Sequence, residues 1–218
     1  MAEQTAAGIA REKMVESQVR PNQVNDRRVI GAMRALPREA FAPPGVQAYS
    51  DADISLGGGR FLLSPMLCGR LAQLVLATNP EHVLVLGSGP GYIAAILSLS
   101  GVRVVALEED ERLNTGALAA HAPEVEQVAG KLKAGWPASG PYDAILIEGA
   151  VQAIPPILAA QCMPEGKVVT ILADTGETAG LGRAVVAEAV GNQFAFTRVF
   201  DCTARILPAF RRAPAFSF

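Results

Sequence analysis

The stretch Val83-Leu84-Val85-Leu86-Gly87-Ser88-Gly89-Pro90-Gly91-Tyr92 decides the fold of this chain. An apolar run that ends abruptly in three glycines reads as a buried strand feeding a tight turn. Ile93 to Leu99 continue apolar and helix-compatible, so the glycines stand where a strand hands over to a helix and its unpaired N–H groups. Such a corner binds the polar part of a nucleotide-like ligand. A plain Gly-rich turn has the same composition, and the surrounding residues decide between the two.

Downstream, Val102 to Leu107 forms a second strand ending at Glu108, about 20 residues past the first glycine. An acidic residue at the tip of the second strand of a nucleotide-binding α/β sheet sits beside the first corner and accepts hydrogen bonds from ribose hydroxyls. Glu108 takes that role, and Glu109, Asp110 and Glu111 read as the solvated start of a helix over Arg112 to Ala120. A weak strand follows at Val125 to Val128. Tyr142 to Ile147 is a further buried strand, with Glu148-Gly149-Ala150 at its C-terminal end, the edge where open α/β sheets bind ligands. Ile154 to Gln161 reads as a short helix and Lys167 to Leu172 as a fifth strand. From Arg183 to Phe200 the pattern becomes a β-hairpin turning at Gly191-Asn192.

Upstream of the corner, Arg11 to Val19 is a polar-rich helix candidate interrupted by Pro21. Asn25 can cap a second helix carrying Val29, Ile30, Met33 and Leu36, ended by Pro37. Tyr49 to Arg60 reads as loop with a short extended piece, and Gly57, Gly58 and Gly59 give it backbone freedom or a close approach. Ser64-Pro65 has the form of an N-cap followed by proline at the first helical position, ahead of an apolar face of Met66, Leu67, Leu71, Leu74 and Val75. Capping accounts for Ser64; a role in a site is the alternative.

The 218 residues suffice for one large α/β domain, and half of them are hydrophobic. No run approaches the ~18 apolar residues of a membrane span, and Met1 to Glu16 lacks an apolar signal core, so the cytoplasm is the expected location. Cys68, Cys162 and Cys202 lie far apart, and His82 and His121 share no ligand spacing, so neither a metal nor a disulfide is expected. With a net charge of −2 and scattered basic residues apart from Arg211-Arg212, nucleic acid is disfavoured as a partner, and no membrane partner is expected.

The order Gly87-x-Gly89-x-Gly91, the acidic residue ending the second strand and the late hairpin together resemble the Rossmann-like S-adenosylmethionine-dependent methyltransferases. Within them the chain resembles the protein-L-isoaspartate O-methyltransferases along almost its whole length. The matching pieces are Met14-Val15 with Val29 to Phe41, Ala48 to Asp51, the Gly57 to Pro65 loop, the glycine corner with Tyr92, Ala94 and Ala95, Gly140 to Ile145, and Arg205-Ile206-Leu207-Pro208. The resemblance implies a three-layer α/β/α fold with a mostly parallel sheet, a C-terminal antiparallel hairpin and N-terminal helices. It implies a single domain over 1–218, with the helices and substrate loop in 1–65 and the Rossmann-like core in 66–218.

By the same resemblance, the reaction is methyl transfer from S-adenosylmethionine to the α-carboxylate of L-isoaspartyl residues in damaged proteins, with no metal. Gly87, Ser88, Gly89, Gly91, Tyr92, Glu108 and Glu148 are the implied cofactor residues, and Tyr49, Asp51, Gly59 and Leu63 the implied substrate-loop residues. The family loop reads Gly-x-Gly-Gln-Thr-Ile-Ser-Gln-Pro, against Gly-Gly-Gly-Arg-Phe-Leu-Leu-Ser-Pro at 57–65. The family serine therefore falls on Leu63, and Ser64 is the hydroxyl that a one-residue shift would substitute. Val85 replaces the family's acidic residue before the corner, and Gly130-Lys131-Leu132 replaces the Gly-Asp-Gly of its adenine end. These departures keep a second reading open, a family descendant that acts as a binding module or methylates another acceptor.

Overall fold

The computed structural model describes residues 5–174, 179–191 and 193–211, with the backbone alone at Ala179 and Ala204. Met1 to Gln4, Asn192 of the expected hairpin turn, and Arg212 lie outside the described residues. Helix α1 (Ala6–Met14) runs on through a π-helical segment, Val15–Val19, and a 3-10 turn, Arg20–Asn22. Helix α2 (Arg27–Ala35) follows, then β1 (Ile54–Gly57), β2 (Arg60–Leu62) and α3 (Pro65–Ala77). The core continues with β3 (His82–Leu86), α4 (Tyr92–Leu99), β4 (Arg103–Glu108), α5 (Ala117–His121), β5 (Glu126–Ala129), β6 (Tyr142–Val151) and β7 (Cys162–Ala173). Strands β8 (Ala179–Val190) and β9 (Gln193–Arg205) complete it.

Seven strands form the main sheet in the order β5-β4-β3-β6-β7-β8-β9. The first five are parallel, and β8 and β9 add antiparallel. Every residue of β3 is buried because a parallel strand in the middle of a sheet is covered on both faces. Its alternating side chains feed two cores. Val83 and Val85 pack with the N-terminal helices, α3 and α4, whereas Leu84 and Leu86 pack with Leu132, Leu158 and Leu207. The second face is covered by 3-10 turns at Leu132–Ala134, Pro156–Gln161 and Pro208–Phe210.

Several local expectations shift. The cap of α2 is Asp26, whose side chain accepts from Arg28 N, in place of Asn25. The expected helix at 112–120 is a 3-10 turn, Glu111–Leu113, followed by the short α5, because Gly116 turns left-handed between them. The helix expected at 154–161 is the 3-10 turn that starts after Pro155. Strand β6 extends to Val151, which places Glu148 inside the strand beside an irregular register instead of beyond its end. The short extended piece expected within 49–60 is β1, and it pairs with β2, which starts at Arg60, in a two-stranded ribbon separate from the main sheet.

Gly91 makes the corner possible. Its φ is +96°, and a Cβ there would stand 2.5 Å from Leu118 Cδ2 and 2.9 Å from Leu118 Cβ. Gly91→Ala therefore combines backbone strain with a core clash. It is expected to lower the unfolding free energy by about 2–4 kcal/mol, read from urea denaturation; a change below about 0.5 kcal/mol would contradict this packing.

Candidate cofactor and acceptor site

The corner spends its own amides on the neighbouring strand. Gly87 N and Ser88 N donate to Leu107 O at 2.9 and 3.3 Å, and Gly91 N donates to Ser88 O at 2.8 Å. Gly89 N donates to Glu108 Oε2 at 2.8 Å, which joins the corner to the tip of β4 as the sequence pattern requires. Glu108 also accepts from the amides of Glu109 and Asp110, at 2.9 and 3.0 Å. Its remaining capacity goes to Arg60, whose Nη1 and Nη2 reach the two carboxylate oxygens at 2.5 and 2.8 Å. Arg60 Nη2 donates as well to Gly87 O at 2.9 Å. The expected ribose acceptor is thus engaged by a side chain 48 positions away in the sequence.

Arg60 arrives on the β1–β2 ribbon, whose tip lies over the sheet edge. Gly57, Gly58 and Gly59 all have positive φ (+82°, +59° and +76°), and the flanking Leu56 Cδ1 lies 3.6 Å from where a Gly89 Cβ would be. Arg205 stacks its guanidinium on Phe61, Cζ 4.3 Å from the ring centroid, which pins the ribbon to the end of β9. Arg38 fixes both ends of the ribbon. Fully buried, it donates from Nε to Ala48 O at 2.8 Å and from Nη2 to Leu63 O at 2.6 Å, with Nη1 3.7 Å from Cys68 Sγ.

The sequence-implied loop residues separate under this geometry. Leu63 is buried and offers only its carbonyl, which also accepts from Cys68 Sγ. Ser64 is half-buried at the N-terminus of α3, but its side chain makes no capping bond. Its backbone N–H is held by Asp53 Oδ1 at 2.8 Å. Burial pushes the Asp53 carboxyl up, opposed by the Ser64 amide and by Arg205 and Arg38. Gly59 lies at the ribbon tip, and Asp51 is exposed. Tyr49 faces the N-terminal helices: its hydroxyl donates to Glu39 Oε2 and accepts from Arg11 Nε at 3.1 Å, and its carbonyl accepts from Gln18 Nε2 at 2.9 Å.

Two implied cofactor residues are buried without full hydrogen bonding. Tyr92 packs edge-on against Phe41 at 5.4 Å, with Arg38 Cζ 4.9 Å from its ring, and its hydroxyl has no partner. It joins the corner to the N-terminal region. Glu148 is 5% exposed, and its Oε2 has no hydrogen-bond partner. Burial pushes its carboxyl well above the usual range; Arg60 and Arg38 pull it down and Glu108 pushes it further up. At the adenine end Lys131 is exposed and Leu132 buried, its N–H donating to Glu109 Oε2 at 3.3 Å. A cavity of about 400 Å³ opens beside the corner, lined among others by Ser88, Gly89, Glu108, Asp110, Asn114 and Gln127.

Gly87 O, Glu108 and the orphaned Glu148 carboxyl make an acceptor-rich edge. These acceptors suit the positively charged end of S-adenosylmethionine, which carries an ammonium and a sulfonium, and here Arg60 engages two of the three. Sequence reasoning missed Arg38, Asp53 and Arg60. The Pro37-Arg38 and Gly59-Arg60 steps were legible as motif fragments, but their partners lie across the fold.

Glu148 also makes a pH dependence. A carboxyl whose folded-state pKa exceeds its unfolded value of ~4.3 binds more protons folded than unfolded, so its contribution to stability falls as pH rises from that value through the raised one. Glu148→Gln removes this term. The variant is expected to gain urea resistance over the wild type at pH 8 and to show a smaller gain, or none, at pH 4; an equal difference at both would refute the assignment.

The comparisons with known proteins agree with this geometry. A family profile described as "Protein-L-isoaspartate(D-aspartate) O-methyltransferase (PCMT)" matches residues 10–179. The protein-L-isoaspartate O-methyltransferase of Methylorubrum extorquens (strain PA1) is 38% identical over 165 residues, 73% of this chain and 72% of that one. Protein-L-isoaspartate O-methyltransferase 2 of Shewanella sediminis is 36% identical over 166 residues, 73% and 68% of the two chains. The crystal structure of a "putative protein-L-isoaspartate O-methyltransferase" from Plasmodium falciparum in complex with S-adenosyl-L-homocysteine superposes with a TM-score of 0.75 at 15% identity over 91% of this chain and 98% of that one, and so shows the shared fold. With the profile spanning most of the chain and relatives this similar along most of their own length, the chain belongs to the protein-L-isoaspartate O-methyltransferase family.

Proposed function

We propose that this chain is an S-adenosylmethionine-dependent carboxyl methyltransferase that modifies the α-carboxylate of L-isoaspartyl residues in damaged proteins, working as one domain over 1–218 in the cytoplasm. The observation that carries the reading is the acceptor-rich edge of Gly87 O, Glu108 and Glu148 at the glycine corner of a chain that belongs to this family. Among the described residues no helix is long and apolar enough to cross a membrane.

S-adenosylmethionine supplies an electrophilic methyl group on a sulfonium. Gly87, Ser88, Gly89 and Gly91 give the cofactor a backbone wall, Glu108 takes the ribose hydroxyls, Glu148 faces the cationic end, and Tyr92 holds the corner from behind. The acceptor is a carboxylate, ionised near neutral pH because its reference pKa is ~4, so no general base is required. What remains for the protein is alignment and exclusion of water. The ribbon tip at Gly59, with Asp51 at its approach, closes over the acceptor, and Leu63 contributes an apolar wall; Tyr49 supports the loop from the side of the N-terminal helices.

Ser64 is the hydroxyl that positions the acceptor oxygen. It makes no capping bond, which supports this role over the structural one. Ser64→Ala is expected to leave stability within about 0.5 kcal/mol of the wild type while lowering turnover by about 10²-fold. The assay is tritiated-methyl transfer to an isoaspartyl peptide, with the aspartyl peptide as control. Full turnover in Ser64→Ala would remove the hydroxyl from the mechanism. Cofactor binding with no transfer to the isoaspartyl peptide would remove that acceptor and leave methylation of another acceptor or the binding-module reading.

A further inference from the structure

Arg60 fills the acceptor-rich edge of the corner. It is 5% exposed, pairs with both oxygens of Glu108, and covers Gly87 O. Five donors, two of them from Arg60, now converge on Glu108, which uses up the roughly four lone-pair sites of the carboxylate and leaves none for ribose hydroxyls. Arg60 Nε is itself buried without a partner, so the guanidinium is incompletely satisfied where it sits. A half-satisfied buried polar group is costly, and a pair that retains one is easier to open.

The tip that carries Arg60 lies outside the main sheet, between the two points that Arg38 holds. Strands β1 and β2 are a two-stranded ribbon outside the main sheet, joined by three residue pairs with an irregular register. Two-stranded ribbons are marginally stable alone. Gly57, Gly58 and Gly59 immediately precede Arg60, and the pairing ends at Gly57↔Arg60. The residues that anchor the ribbon's far end, Leu62 and Leu63, stay buried and held by Arg38.

We propose that Arg60 is an internal competitor of the cofactor: in the free protein its guanidinium occupies the cation place between Gly87 O and Glu108, and it must withdraw on the β1–β2 ribbon before the cofactor's ribose and charged end can bind. The proposal rests on the cofactor reading given above. Arg60 thereby sets cofactor affinity and makes opening of the ribbon a step that precedes cofactor entry. A site competent only in its open fraction shows an affinity reduced by that fraction.

The test is calorimetric titration of S-adenosylhomocysteine, the stable demethylated product, into wild type, Arg60→Gln and Arg60→Lys at one salt concentration. If the latched form dominates, Arg60→Gln binds about tenfold or more tighter than wild type. Arg60→Lys keeps the charge but loses the two-pronged geometry and falls between them. Equal or weaker binding by Arg60→Gln, with circular dichroism and melting unchanged, overturns the competitor role alone. Binding by none of the three overturns the cofactor reading together with it. Should Arg60→Gln fold poorly, stopped-flow mixing of the wild type with S-adenosylhomocysteine decides: an observed rate that levels off with ligand concentration supports an opening step, and a rate rising linearly to saturating ligand overturns it.

Discussion

The guanidinium of Arg38 lies fully inside the protein and spends its donors on the carbonyls of Ala48 and Leu63, beside Cys68 Sγ and the face of Tyr92. A buried cation with neutral acceptors is stable only while each acceptor stays in place, because losing one exposes an uncompensated charge to a low-dielectric interior. The constraint works in both directions. It holds Arg38 in the core, and it holds the chain before β1 and after β2 at a fixed separation. The ribbon, the N-terminus of α3 and the ring of Tyr92 take their positions from it. The site is therefore assembled from the N-terminal third of the chain as much as from the sheet.

Charge organises the rest of the edge. Glu108 ends β4 and Glu148 lies in β6, on either side of β3 at the C-terminal side of the sheet, with Arg60 the cation paired to the first and within electrostatic reach of the second. Burial penalises every one of these charges, so the cluster settles by pairing Glu108 and by pushing Glu148 toward its neutral form. The Cys68 thiol, raised to about 12 by burial, takes no part in this chemistry. A cluster with one acceptor unsatisfied and one cation incompletely bonded is poised for a ligand that carries its own positive charge.

The fold reaches beyond the family match. The profile ends at residue 179, where β8 begins, while the structural likeness to the Plasmodium falciparum protein covers 91% of the chain. The β8–β9 hairpin matters to the site because the chain leaving β9 returns to it. Leu207 N donates to Ala150 O at 3.0 Å, and Leu207 Cδ1 would lie 3.3 Å from a Gly87 Cβ, so the closing segment forms one wall of the corner.

The sequence by itself determined the strands at the centre, the glycine corner, its spacing to Glu108, the late hairpin and the family. All of these rest on local signals: apolar runs long enough to be buried on both faces, glycines where φ must be positive, and motif order along the chain. It overextended the helix after Glu111 because Gly116 breaks it, and it read 49–60 as loop with one short extended piece because three glycines mask the pairing of β1 with β2. Only the tertiary structure decided who pairs with whom. Arg60 with Glu108, Arg38 with Leu63 and Asp53 with the Ser64 amide join residues 48, 25 and 11 positions apart. No periodicity records those pairings, because each follows from which polar groups are left without water once the ribbon folds over the sheet edge.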